Sequence, residues 1–314
     1  MYEQLIAPFG AYDKYTFYNP ASGHLMSLVP GCGACLVDLI LDNQSLLDTY
    51  QTAEQLEMHK KAKSEFLLPF PNRLLDGLYT FEGKTYQFPI NNKPTANAIH
   101  GFAIGEPMSL EKVELAEQKV QLVCLFDYDG SREYYPFPFK ASIEFELSDS
   151  DGLTIGVFVE NTGTGAMPIG MGWHPYFKIG TMVDDWYLQV PASQVVAIDD
   201  RMIPTGVLTP YTKFQRLERI GASTLDNCFL LEDREEAGQA EVLLTNVNQG
   251  RTLRYWQECG PGKFNYIQLF IPPPRQSIAI EPMSCNINAF NNGNGLTVLQ
   301  AGEKAGGRFG VQLL

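Results

Sequence analysis

Four histidines and six cysteines are scattered through 314 residues, and both shortages exclude functions. Six cysteines in a chain this long do not make a disulfide framework, so reduced, mostly buried thiols are expected. Cys32 and Cys35 form a C-x-x-C, but no second Cys or His pair stands near them, as a zinc site requires. The flanks LMSLVPG and LVDLIL are strand-like on both sides, where a redox motif opens a helix. A turn of small residues between two strands is the favoured reading. Positive charge is scarce too: 23 Lys and Arg against 36 Asp and Glu leave a net charge of -13. That balance argues against nucleic acid or an anionic membrane surface as partner, because both need a basic patch. The same balance counts against strongly anionic substrates, unless a local pocket overrides the global sign.

Long apolar runs are missing as well. No stretch reaches the roughly 18 apolar residues of a membrane span, and MYEQLIAPFGAYDKYTFYNP has no basic leader ahead of an apolar segment. A soluble, cytoplasmic protein is expected. Helical periodicity is thin. TAEQLEMHKKAKS at 52–64 is the best candidate, with Thr52 as N-cap, acids early and bases late. His59 is read there as a solvated helix residue, and His24 as a surface or strand-edge residue.

What is present is strand-forming. The chain has 45% hydrophobic residues, 28 Gly, 20 Pro, 15 Tyr and 19 Phe, which suits a turn-rich, aromatic-rich β protein. ASIEFELS at 141–148 alternates apolar and acidic residues with period two, and DGLTIGVFVEN follows it as a hairpin partner. LYTFEGKTYQFP at 78–89 is a second hairpin, turning on Glu82-Gly83-Lys84. Further strands are expected in KVQLVCLFDYDG, KFNYIQLFIPPP, QSIAIEP and the closing GRFGVQLL. No composition shift or repeat divides the chain. The expected fold class is all-β: one large antiparallel β-sandwich over 1–314 with little helix, able to present a wide concave sheet face to a polar ligand.

Five polar residues stand at strand ends or in loops. Arg73 follows the turn PFPN, and by itself reads as a surface arginine. His100 precedes a glycine, which permits close backbone approach. Asp226, in TLDNCF, reads by default as a turn or capping acid. Glu281 is sharper: it ends the apolar run SIAI, so its carboxylate is either paired or used. His174, in GMGWHPYFKIG, is made extended by Pro175 and flanked by Trp173, Tyr176 and Phe177. Singly, a satisfied structural histidine is the commoner case. Together, an acid, two imidazoles, an arginine and aromatics compose a known kind of sugar site.

These stretches, in this order, resemble the aldose 1-epimerase (galactose mutarotase) family. FPNRLLDGLYTFEGKTYQFPIN is similar to the family's N-R segment and hairpin, NAIHGF to N-x-L-H-G, and GWHPYF to N-H-x-Y-F. LDNCF resembles D-H-x-F, and IAIEPMSCNINAFNNG resembles I-E-P-x-T-x-x-x-x-A-F-N. The resemblance implies the family's large antiparallel sandwich and mutarotation of a free aldohexose, with no cofactor and no metal. It implies Glu281 as general base at the C1 hydroxyl, His174 as general acid at the ring oxygen, and His100 as an assisting hydrogen-bonder. Arg73 and Asp226 would hold sugar hydroxyls, and Trp173 and Tyr176 would shape the wall. The family's usual asparagine before the acid histidine is Trp173 here, which points to a branch away from the best-known galactose enzymes. The implied partner is a monosaccharide, and a monomer or homodimer is expected. Two other readings stand beside this one. A hexose-6-phosphate 1-epimerase needs extra cations facing a phosphate, and a non-catalytic carbohydrate-binding protein needs none of the acid–base pair. A glycosidase ranks lower, because only Glu281 is a convincing catalytic carboxylate.

Overall fold

The computed structural model describes residues 1–191, 194–231 and 238–314. Antiparallel strands dominate, as the alternation predicts. A nine-stranded sheet runs in the order Ser109–Leu115, Lys119–Tyr128, Phe139–Ser148, Gly152–Asn161, Lys304–Leu313, Arg251–Cys259, Gly238–Asn246, Tyr187–Gln189, Glu218–Arg219. A second sheet orders Pro204–Pro210, Gln194–Ile198, Asp226–Leu230, Tyr266–Phe270, Ile278–Met283, Gly172–Trp173 and Phe66–Leu67, with Tyr176–Phe177 also paired to Ile278–Met283. A five-stranded N-terminal sheet spans Glu3 to Ser45. The expected hairpins are present: Phe139–Ser148 pairs with Gly152–Asn161, and Leu78–Phe81 with Lys84–Gln87.

Period two places one side chain set inward. In Phe139–Ser148 the buried residues include Ala141, Ile143, Phe145 and Leu147, while Glu144 and Glu146 stay on the wetter face. The two large sheets close on one another through aromatic contacts. Trp173 stacks on Phe309 at 5.4 Å between centroids, Phe66 meets Phe145 edge-on at 5.9 Å, and Phe177 lies 6.3 Å from Tyr255. Burying rings of this size supplies much of the driving force for the sandwich, about 25 cal/mol per Å² of apolar surface.

Helix is confined to short pieces among the described residues. Thr52 caps Ala53–Glu57 by accepting from the Gln55 amide, as expected, but the helix stops well short of residue 64. His59, Lys61, Ala62 and Ser64 have positive φ, so the chain winds through left-handed conformations there. His59 is therefore not a solvated helix residue: it follows the helix and bonds a buried carboxylate. His24 likewise departs from expectation. It opens strand His24–Val29, is buried, and sets Nδ1 3.2 Å from the Ser22 carbonyl. Cys32 and Cys35 sit at the turn between strands His24–Val29 and Cys35–Leu41 as buried free thiols, in line with the sequence. No helix among the described residues is long and apolar enough to cross a membrane.

Candidate acid–base site

Sheet register builds the floor of the site. Across three adjacent strands, Cys228 stands opposite Gln268 and Gln268 opposite Glu281. One row over, Asp226 is opposite Phe270, Phe270 opposite Ala279, and Ala279 opposite Tyr176. Residues directly opposite share a face, and so do residues two apart along a strand. Asp226, Gln268, Glu281 and Tyr176 therefore rise from one face of the second sheet, while Ile278 and Ile280 point into the core.

The walls come from loops pinned to that sheet. His174 lies between the short strands Gly172–Trp173 and Tyr176–Phe177. Its amide donates to the Glu65 carbonyl at 3.0 Å, and its carbonyl accepts from the Ser64 amide at 2.8 Å. The imidazole stacks on Tyr176 with centroids 5.0 Å apart. On another wall, strand Asn97–Ile99 pairs with Arg73–Leu75, and the His100 amide donates to the Asn72 carbonyl at 2.8 Å. His100 and Gly101 both take positive φ. A Cβ on Gly101 would lie 2.0 Å from the Leu68 carbonyl oxygen. The glycine beside His100 thus serves a close pass of the protein's own backbone.

Arg73, His100, His174, Tyr176, Asp226 and Glu281 all line one cavity of about 670 Å³. That volume suits a small ligand. Trp173 is the exception to the expected set. It is fully buried, packs on Phe66 and Phe309, and donates from Nε1 to the Ser64 carbonyl at 3.0 Å. Neighbours on extended backbone face opposite ways, so the turn of His174 to the cavity sends Trp173 to the core.

Inside the cavity, His174 Nε2 is 3.4 Å from Glu281 Oε1, longer than a good hydrogen bond. The His100 and His174 rings meet edge to face, 5.2 Å apart. Glu281 Oε2, His174 Nδ1, His100 Nδ1 and Arg73 Nε are buried and have no protein partner. Such atoms are costly unless something else bonds them. Burial pushes the Glu281 carboxyl well above the usual carboxylate range, with the Asp226 charge adding to it and Arg73 opposing. Burial holds the His174 imidazole down at about 3. His100 is held well below its ordinary value by burial, by His174 and by Arg73. Strongly displaced titration of several groups in one cleft marks a functional site.

Two amides complete the network and escaped sequence reasoning. Asn72 donates to Gln268 Oε1 at 3.3 Å, Gln268 donates to Asp226 Oδ1 at 2.8 Å, and Arg73 donates to Asn72 Oδ1 at 3.1 Å. The relay fixes Asp226 and Arg73 relative to Glu281. The available signal was Gln268 itself, a polar residue in the apolar run YIQLF. His59, Lys61 and Phe270 also line the cavity and were missed. Among the described residues no cluster of three or more His, Cys, Asp or Glu side chains could hold a metal ion.

The antiparallel sandwich carries a buried carboxylate, two imidazoles and an arginine in one cleft, a set of groups able to give and take protons on a small ligand. The chain belongs to the aldose 1-epimerase family, whose sequence model matches residues 13–312. This is a family of sugar epimerases and mutarotases. The chain is 29% identical over 287 residues to the uncharacterized protein YihR of Escherichia coli K12, covering 90% of this chain and 88% of that one. It is 29% identical to rat galactose mutarotase over 143 residues, 44% of this chain and 40% of that protein. Its fold is that of a galactose mutarotase-like protein from Clostridium acetobutylicum, with TM-score 0.87, 21% identity, and coverage of 100% of this chain and 98% of that chain.

Proposed function

We propose that the protein is a cofactor-independent mutarotase that interconverts the α and β anomers of an aldohexose, with residues 1–314 acting as one domain. The observation that carries this reading is the pair Glu281–His174, buried 3.4 Å apart in a shared cavity, each with a polar atom lacking a protein partner.

The chemistry needs one proton removed and one delivered on two oxygens of the same carbon. Glu281 takes the proton from the C1 hydroxyl, and His174 gives one to the ring oxygen. The C1–O5 bond breaks, and the electron pair on O1 becomes the aldehyde C=O. Rotation about C1–C2 turns the other face of the carbonyl toward O5. Closure runs in reverse: His174 recovers the proton from O5–H, and Glu281 returns one to O1. The pair holds one proton in total throughout. It moves between imidazolium–carboxylate and neutral imidazole–carboxylic acid, and desolvation favours the neutral form. Sugar hydroxyls bonded to Glu281 Oε2 favour the carboxylate and so charge the pair for ring opening. His100 hydrogen-bonds beside the ring oxygen. Arg73 and Asp226, locked by Asn72 and Gln268, hold hydroxyls, and the Tyr176 ring forms a wall.

The test is anomer exchange of α-glucose and α-galactose, followed by optical rotation or NMR. Wild type is expected to accelerate equilibration, and Glu281→Gln to abolish most of the acceleration. A wild type that speeds no aldose sinks the reading; equal rates in the two proteins remove Glu281 as the base.

A further inference from the structure

The cavity wall carries a second titratable cluster that these proton transfers leave unused. His59, Lys61 and Ala62 line the cavity just beyond helix Ala53–Glu57. Their backbone is held in an uncommon state. His59, Lys61, Ala62 and Ser64 have φ of 46°, 67°, 50° and 58°, a region non-glycine residues avoid. Four such residues within six positions persist only where the surroundings impose them, and such segments gather at ligand sites. Here the Tyr50 hydroxyl donates to the Lys60 carbonyl at 3.3 Å, Tyr176 reaches the Lys61 carbonyl at 3.4 Å, and the Ser64 amide bonds the His174 carbonyl.

The held segment presents positive charge. His59 Nδ1 donates to Glu65 Oε1 at 2.9 Å, and Glu65 is fully buried behind it, off the cavity wall. The Cys32 thiol and the Glu65 carboxylate push the His59 imidazole up to about 10. Packing around the pair is close: a Cβ on Gly105 would meet His59 Nε2 at 2.5 Å. Lys63 is bound to Asp48, but Lys61 makes no ion pair among the described residues. The two carboxylates on the cavity wall, Asp226 and Glu281, stand on the sheet side beside Arg73, and none lines the wall next to His59. Tyr176 separates the two regions, stacked on His174 by its ring and tied to Lys61 by its hydroxyl. In a chain of net charge -13, Lys61 on the cavity wall with no ion pair among the described residues is a local exception to the global sign, while the His59 charge is offset by Glu65 behind it.

We propose that His59 and Lys61 form a subsite for an acidic substituent, a carboxylate, sulfonate or phosphate, that the aldose carries away from its anomeric carbon. The substrate class is then an acidic aldose rather than a neutral hexose, and this rests on the mutarotase reading of the same cavity. Lys61 supplies the free charge and a mobile donor, and His59 turns the positive end of its pair with Glu65 toward the cavity.

Calorimetric titration and anomer exchange on one panel test it: a neutral hexose, a hexuronate, a hexose 6-phosphate and a hexose 6-sulfonate. At least one acid is expected to bind wild type about tenfold more tightly than the neutral sugar, an advantage that shrinks with added salt. Lys61→Met and His59→Gln are each expected to remove most of that advantage. His59→Gln leaves Glu65 buried without its partner and could unfold the chain, so the exposed Lys61→Met carries the decision. Acids that bind no better than the neutral sugar overturn the subsite, as does an advantage that survives Lys61→Met. The acid that gains most identifies the substituent. Tight acid binding with no exchange of any aldose overturns the mutarotase reading alone; exchange of neutral sugars without acid preference overturns the subsite alone.

Discussion

Two acid–imidazole pairs share this cavity's surroundings and are joined by the hydrogen bond from the His174 amide to the Glu65 carbonyl. Their imidazoles are displaced in opposite directions, although burial raises both carboxyls. In His174–Glu281 the groups are 3.4 Å apart and buried, the imidazole is held at about 3, and the carboxyl is raised. In His59–Glu65 the distance is 2.9 Å, the imidazole keeps 28% of its side-chain surface, and it is pushed up to about 10. Having an acid beside a histidine does not fix its charge. Contact distance and access to water decide, because a formed hydrogen bond favours the ion pair and desolvation disfavours it. The loose pair leaves room for substrate oxygens to complete its bonding. The tight pair is already satisfied, and stays an ion pair with its imidazolium side toward the cavity.

The two pairs are expected to differ most at Glu281. Replacing it with Gln is expected to lower kcat by about 10³-fold or more, a large share of what acid–base catalysis supplies. The same change removes a buried carboxylate with an unpartnered oxygen, so the variant should be more stable by on the order of 1 kcal/mol. Loss of rate with gain of stability, read by anomer exchange and urea unfolding, identifies the loose pair as the reactive one. A variant that loses both shows that Glu281 serves the fold instead. His174→Asn follows, with kcat down by about 10²-fold to 10³-fold and KM nearly unchanged. A change confined to KM assigns His174 to binding alone.

Much of this was legible in the chain, and what was missed has identifiable causes. Alternation located the hairpins, and an acid at the end of SIAI located Glu281. Gln268 and Asn72 were hidden because an amide carries no charge signal, and only register shows Gln268 opposite Glu281. MHKKAKS contains good helix formers and no glycine to end a helix, so propensity alone carries the helix through His59. Tertiary bonds from Tyr50 and Tyr176 and the pairing to Glu65 overrule that propensity. Trp173 reads as a wall residue from its closeness to His174 in sequence. Strand alternation already contains the correction, since adjacent residues on extended backbone cannot both face the cavity.

The two pairs should also part in their pH dependence of stability. His59 is raised from 6.5 to about 10, so its contribution is complete below pH 6.5 and is lost as pH rises toward 10. His174 is lowered from 6.5 to about 3, so the unfolded chain binds the proton first on acidification. Stability from this group is therefore lost as pH falls from 6.5 toward 3. Urea unfolding across pH 4 to 10 is expected to show a flatter alkaline limb in His59→Gln and a flatter acid limb in His174→Asn, each by a few kcal/mol at most. Unaltered limbs in both variants mean that neither pair differs from the unfolded chain in the stated direction.

The smallest expected effect concerns the residue that separates sequence reading from structure. Trp173→Phe keeps an aromatic ring against Phe66 and Phe309 and deletes the Nε1 bond to the Ser64 carbonyl. Losing one buried hydrogen bond with its partner left in place costs about 1–3 kcal/mol. Ser64 also donates its amide to the His174 carbonyl, so the cost falls on the loop that aligns the imidazole. A residue that acts through this loop lowers kcat a few fold while sugar affinity holds. A residue that touches sugar raises KM instead. Measuring kcat and KM separately for Trp173→Phe, beside its unfolding free energy, decides whether this tryptophan supports the loose pair from the core or reaches the ligand.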